Sequence, residues 1–437
     1  MDRWPSRYFE FKSQGTTLRR EVVAGMTTFV TMAYIIVVNP AVLSAAGIPA
    51  GPSMVATILT AVFGSLLMGF YARRPFAVAP YMGENAFVAF TVVGALGYSW
   101  QQALAAVFLA GVLFFVLTLA RVRQWLVEAV PRGLRYSFAG GIGLFLTFIG
   151  LNQAGLVKLG VEGAPVQMGR LTSPGALVAV FGFLVIVALM ILKVRGAILL
   201  GILAATLVAF AIGIADPPGA VVSSPPSLVP IFWQLDFSPL WSVGFAGVVL
   251  TVFIMAFVDT MGALIGVAAH GRLLDEEGNL AQIERPMLAD AAATSFAAAV
   301  GTTTAGAFIE SATGIEAGGR TGATAVVVAL LFVLALFFSP VVTAIPPEAY
   351  GPALIAVGLL MIEPVRRVDF DDFTELVPAL ATVALMGFTF NIGVGMTAGF
   401  ILYPFCKLVQ GRPGEVKPGL WVLAGLSLLF YIFYPYH

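Results

Sequence analysis

Apolar residues run along this chain in long, nearly unbroken blocks, with neither the alternation of a half-buried strand nor the stripe of a water-facing helix. A helix needs about 17 to 25 predominantly apolar residues to cross ~30 Å of hydrocarbon. Blocks of that size predict spans over 21–46, 54–72, 80–96, 101–121, 133–153, 175–193 and 196–215. A second series covers 243–266, 285–300, 306–319, 322–341, 350–363, 375–391 and 393–409, about fourteen in all. A last apolar and aromatic stretch, Leu420 to Tyr434, reads as an interfacial helix or a further crossing. The opening residues MDRWPSRYFEFKSQG are polar and lack an apolar run with a small-residue cleavage site, so no removed leader is expected.

An odd number of spans in each half sets the halves upside down relative to each other in the bilayer, which makes the chain a seven-plus-seven inverted repeat. The third and tenth spans stand out from the rest. APYMGENAFVAFTVVGALG and GTTTAGAFIESATGIEAGGRTG are both rich in Gly, Ala and Thr and both interrupted by a carboxylate, a poor recipe for continuous helix. Broken segments at matching places of two inverted halves point to a substrate site near the bilayer midplane, where freed backbone groups can meet a ligand.

Composition agrees with a lipid-embedded, all-α polytopic protein. Of 437 residues, 59% are hydrophobic and 11% charged, against roughly 25% charged in soluble domains. Net charge is zero and no Lys/Arg-rich run is present, so nucleic acid is not an expected partner. One cysteine, Cys406, and two histidines, His270 and His437, make neither a disulfide nor a zinc set, and no metal or cofactor is expected. Basic residues fall on alternate loops: Arg19, Arg20, Arg73, Arg74, Arg132, Lys193, Arg320, Arg366 and Lys407 on one side, Lys158 and Arg170 on the other. The positive-inside rule then puts the N-terminus in the cytoplasm of a plasma-membrane protein.

A charged side chain at the bilayer centre costs about 2.5–3.5 kcal/mol on insertion scales, so an acid kept there is a functional candidate. Five lie within spans: Glu84, Asp259, Asp290, Glu310 and Glu316. Asp290 stands near Arg285 and Glu316 near Arg320, so both are expected to form ion pairs. Asp259 lies deep in its span, and Glu310 lies in the break of the tenth, between Phe308 and Ser311. Acids with no intramembrane Lys or Arg favour hydrogen-bond donors or cations over anions. A carboxylate accepting parallel N–H bonds suits the edge of a heterocycle and can also take up and release a proton, which makes Asp259 and Glu310 coupling candidates. Phe308, Phe87 and Phe90 could stack on a flat ligand, although most phenylalanines in such a chain face lipid or pack.

Four segments resemble the xanthine/uracil permeases (nucleobase–cation symporters), and in particular their purine branch. They are TLRREVVAGMTTFVTMAYIIVVNPAVL (17–43), IGLNQAGLV (149–157), FVDTMGALIGVA (257–268) and GTTTAGAFIESATGIEAGGRTGATAVVVALLF (301–332). The resemblance implies a core domain at 21–121 and 243–341, a gate domain at 133–215 and 350–409, and homodimers in which core moves against gate. On either side lie the cytoplasmic segment 1–20 and the C-terminal segment 410–437. It implies import of adenine, guanine or hypoxanthine by proton symport, with Na⁺ the less expected ion. The family's substrate acids fall on Asp259 and Glu310, and its polar amide on Asn85. This chain departs from the branch at Glu84, commonly an apolar position, and at Phe308, commonly tyrosine.

Other classes fit less well. A uracil or xanthine carrier would use the same architecture, and an anion carrier would want a basic residue or bare helix N-termini at the site. No H-E-x-x-H, G-x-S-x-G or P-loop pattern equips an intramembrane enzyme or pump. Single acids in broken helices favour alternating access over a channel's repeated rings.

Overall fold

The computed structural model describes residues 4–120, 130–161, 164–270, 273–274, 280–389 and 391–433. Arg121 and Tyr434, where two expected apolar segments end, and Arg272 lie outside them. After a short helix at Trp4–Tyr8, the first half comprises α1 (Leu18–Met32), α2 (Ile35–Ser44), α3 (Ala50–Phe70), β1 (Val78–Pro80) and α4 (Met82–Ala86). A π-helical stretch, Phe87–Ala95, leads to α5 (Trp100–Leu119), α6 (Arg132–Gln153), the hairpin β2 (Val157–Val161) and β3 (Ala164–Met168), α7 (Pro174–Ile191) and α8 (Ala197–Ala211). The second half runs α9 (Val243–His270), α10 (Glu284–Val300), β4 (Ala305–Ala307), α11 (Ser311–Glu316) and α12 (Gly322–Ala335). It closes with α13 (Pro347–Ile362), α14 (Phe373–Thr389), α15 (Ile392–Val409) and α16 (Pro418–Phe433). Among the described residues, nine helices are long and apolar enough to cross a membrane, and four shorter apolar helices accompany them.

Local sequence sets many of the boundaries. Thr17 caps α1 by accepting from the Arg20 amide, Ser99 and Gln102 form a reciprocal capping box at α5, and Asn391 caps α15 through the Val394 amide. Gly301 ends α10 in the left-handed region, at φ 100°, where a side chain would be strained.

Packing partners recur between the halves. α3 lies on α12 and α5 on α10; α1 meets α12 as α9 meets α5; α7 packs on α8 as α14 packs on α15; α6 and α13, which occupy equivalent places, pack on each other. α16 covers α15 and also touches α9, so the C-terminal apolar stretch is a helix seated on the bundle.

The third and tenth segments meet as strands. β1 pairs antiparallel with β4, Val78 opposite Ala307 and Pro80 opposite Ala305. Two three-residue strands leave outer backbone groups with no strand partner, and inside a membrane protein these must be satisfied by other protein groups. Ser65 of α3 brackets β1: its hydroxyl accepts from the Val78 amide at 3.0 Å and donates to the Val78 carbonyl at 3.3 Å. Thr294 of α10 does the same for β4, accepting from the Ala305 amide at 3.1 Å and donating to its carbonyl at 2.9 Å. These two hydroxyls occupy matching places in the two halves. Gly306 is required by close approach, because a Cβ there would run into the Tyr81 ring and hydroxyl.

Candidate functional site

The strand pair aims two half-helices, α4 and α11, at each other's surroundings, with α9 alongside. Glu310 precedes α11 and is partly exposed, as is Asp259 in the middle of α9. Glu84 of α4 is completely buried. The exposed fraction separates their uses, since a ligand can reach Asp259 and Glu310 but not Glu84.

Each acid has a partner from the opposite half. Tyr34, at the break between α1 and α2, donates its hydroxyl to Glu310 Oε1 at 2.6 Å. Thr31 and Thr313 hydroxyls lie 3.1 Å apart beside it, and Thr313 also donates to the Glu310 carbonyl. On the other side, the helices of Glu84 and Asp259 pack against each other and the two carboxyls face one another. Tyr34 was invisible in the sequence reading, as nothing in the run AYIIVVNP sets it apart from the aromatic residues that merely pack.

Asn85 follows Glu84 and is fully buried; its Nδ2 donates to Asn39 Oδ1 at 2.7 Å. The orientation of both amides follows from one hydroxyl. Thr57 donates to the Ser53 carbonyl at 2.7 Å, so toward Asn39 it can only accept, which fixes Asn39 Nδ2 as donor to Thr57 (2.7 Å) and to Thr302 (2.9 Å). Asn39 Oδ1 then accepts from Asn85, and the buried Asn85 Oδ1 has no donor among the described residues. Asn39 is therefore a positioning residue that the sequence reading missed.

The remaining candidates divide between ring and scaffold. Phe308 is buried, with its ring parallel to that of Tyr81 (9° between planes, centroids 6.4 Å apart), and the Tyr81 hydroxyl lies 3.3 Å from that of Thr260, next to Asp259. Tyr81 thus joins the two acid-bearing elements. Phe87 is buried at the start of the π-helical stretch, and Phe90 packs edge-on against Phe145. Ser311 is buried, and its hydroxyl accepts from the Ala77 amide at 2.9 Å, tying α11 to the strand before α4. Asp290 does not serve as a partner for Arg285: it is fully buried, and its Oδ2 accepts from the Ala307 amide at 3.0 Å, bracing β4. Glu316 is exposed. Among the described residues no cluster of His, Cys, Asp and Glu could hold a metal ion.

Comparison with known proteins bears on this geometry. A model of the Permease family matches residues 19–402. The chain is 39% identical to the adenine permease AdeP of Escherichia coli strain K12, over 99% of this chain and 96% of AdeP. It is 40% identical to the guanine/hypoxanthine permease PbuO of Bacillus subtilis strain 168, over 97% and 99% of the two chains. Among solved structures, the transmembrane domain of the cyanobacterial bicarbonate transporter BicA superposes with a TM-score of 0.65, covering 87% of this chain and 97% of that one. At 14% identity that likeness is one of fold alone, the inverted repeat of two helical halves.

Proposed function

We propose that this chain, which belongs to the Permease family and is a transporter rather than an enzyme, carries a purine nucleobase across the membrane as a proton symporter. The observation that carries the reading is the uniform polarity of the site. Asp259 and Glu310, the partly exposed acids, both present hydrogen-bond acceptors, while behind them the amide N–H groups of buried Asn85 are taken by Asn39 Oδ1 and the Met82 sulfur. Such a site suits the N–H edges of a purine and repels an anion. The relatives named as adenine and guanine/hypoxanthine permeases, at about 40% identity over nearly their full length, support the same substrate class.

In this reading Asp259 and Glu310 accept ring and exocyclic N–H groups, Tyr34 holds the Glu310 carboxylate in place, and Phe308 on Tyr81 supplies a flat wall. The core, 21–121 with 243–341, moves against the gate, 133–215 with 350–409, exposing the site to each side in turn, and the N-terminus lies in the cytoplasm of the plasma membrane. The preference of helices for partners within their own group (α3 with α12, α5 with α10, α6 with α13 and α14) supports two bodies. A homodimer would anchor the gate. Calorimetry on folded Asp259→Asn and Glu310→Gln proteins tests the site. Each variant sets N–H donors where the base needs acceptors and should bind adenine or guanine about 10- to 100-fold more weakly, equivalent to about 1.5–3 kcal/mol. Unchanged affinity in both would overturn the assignment.

A further inference from the structure

Two pairs of groups, each made of one residue from either half, stand at equivalent points of the repeat, and they differ in one respect. In the first, Tyr34 and Glu310, a hydroxyl donates to a carboxylate at 2.6 Å. In the second, Asp259 and Glu84, two carboxyls face each other across packed helices. Glu84 is completely buried, and among the described residues neither of its oxygens receives a hydrogen bond. Among the described residues no lysine, arginine or histidine acts on either acid. Tyr81, at the entry to α4, faces both acids, and Asp290 of α10, itself an acid, faces Tyr81. The Tyr81 hydroxyl is engaged with Thr260, and Asp290 Oδ2 with the Ala307 amide. Two carboxylates facing each other cannot both be ionised away from water without a cation between them, and the donor that Tyr34 supplies in the first pair is missing from the second.

We propose that Glu84 and Asp259 hold one proton between them, and that this pair, not Asp259 alone, is the unit that carries the co-transported proton. The inference rests on the reading of the protein as a proton-coupled purine carrier and deepens it. With the proton in place, the pair carries one negative charge and forms a carboxyl–carboxylate hydrogen bond; without it, the pair carries two. Asp259, the partly exposed member, exchanges the proton with water on whichever side the site opens to, and also faces the base. Glu84 cannot reach the ligand, so it acts through Asp259 as a positioning and proton-sharing residue. Base binding and protonation are thereby linked, because the doubly charged pair has lost the hydrogen bond that orients Asp259.

Proteoliposomes loaded with a pH dye report protons and labelled adenine or guanine together. Wild-type protein should move protons inward with the base. Glu84→Gln should move fewer protons per base, flatten the pH profile of base binding and lose at least about tenfold of the accumulation driven by an inward proton gradient, while Glu84→Asp, which keeps a carboxyl, should retain coupling. Infrared difference spectra of the wild-type protein, in H₂O and D₂O, provide a reading that needs no variant to fold: a protonated-carboxyl C=O stretch should be present and should shift when base binds. Glu84→Gln protein with the wild-type proton-to-base ratio, base movement without protons in the wild type, or spectra lacking that stretch would each overturn the proposal. If the wild-type protein bound no purine at all, the purine reading would fail, and the carboxyl band, recorded without base, would still decide whether the pair shares a proton.

Discussion

Glu21 offers a test of how the transporting segments are held. It lies in the first turn of α1, is completely buried, and its carboxylate accepts four hydrogen bonds: from the Thr16 hydroxyl (2.8 Å), the Thr324 hydroxyl (2.6 Å), and the Arg320 (3.0 Å) and Thr321 (3.3 Å) amides. The last two precede α12, so one carboxylate sits at the N-termini of both α1 and α12, where aligned peptide dipoles favour negative charge. Glu21→Gln retains the shape. Its amide oxygen can still accept from Thr16 and Arg320, and Thr324 can reverse to accept from the new NH₂ group, but the Thr321 amide then faces a donor. One buried N–H loses its acceptor, and the surviving bonds lose their charge assistance. At about 1.5–3 kcal/mol for a hydrogen bond to a charged group, the substitution should cost roughly 2–4 kcal/mol. Equilibrium unfolding in mixed micelles measures this, with Glu10→Gln as the control. Glu10 pairs with Arg73 at 3.1 Å, but both side chains are about half exposed, so its loss should cost at most about 1 kcal/mol. Because α1 and the start of α12 flank α11, purine affinity should fall alongside stability. Glu21→Gln protein that unfolds together with the Glu10→Gln control would refute the argument that this carboxylate clamps two helix termini.

Five further outcomes follow from the structure. Asn39→Leu removes the group that orients Asn85, so base binding measured by calorimetry should weaken about tenfold. Gly306→Ala drives a methyl into Tyr81 and should abolish uptake in vesicles even where the protein reaches the membrane. Lys407, 3% exposed, lies 3.0 Å from Glu375, 3.0 Å from Glu415 and 3.6 Å from Asp372, so Lys407→Met removes the cation from Glu375 and leaves Asp372 and Glu415 to the half-exposed Arg412, which should lower the neutral-pH melting midpoint. In the wild type, the Thr374 hydroxyl and amide, then Lys407 and Arg412, hold the Asp372 carboxyl below its ordinary range; that contribution is complete at neutral pH and is lost as pH falls through and below the usual carboxylate value, which an acid unfolding series should register. Finally, in a Cys406→Ser background, an impermeant thiol reagent should label Ser224→Cys but not Gln410→Cys in intact cells, and the reverse would invert the orientation.

The sequence by itself determined the solvent, the class and the repeat. Unbroken apolar blocks have few physical uses outside a bilayer, and the period of the blocks survives whatever the helices do in detail. It also marked Asp259 and Glu310, because an acid at that depth is too costly to be incidental. It could mark the Gly- and Thr-rich breaks without revealing that they pair as strands, since β1 and β4 are more than 200 residues apart and each is only three residues long. The roles of Ser65, Thr294 and Asp290 were illegible for the same reason: each serves a backbone group on a distant element, and a local window around any of them shows only a polar residue in a helix. Asp290 was read toward Arg285 because sequence proximity is a poor guide to a helix that faces inward at that point. Tyr34, Asn39 and the placing of Glu84 opposite Asp259 were decided by the tertiary structure alone. Which hydroxyl meets which carboxylate, which amide oxygen stays unpartnered and which two acids face each other are questions of distance between segments from opposite halves, and only the folded chain sets those distances.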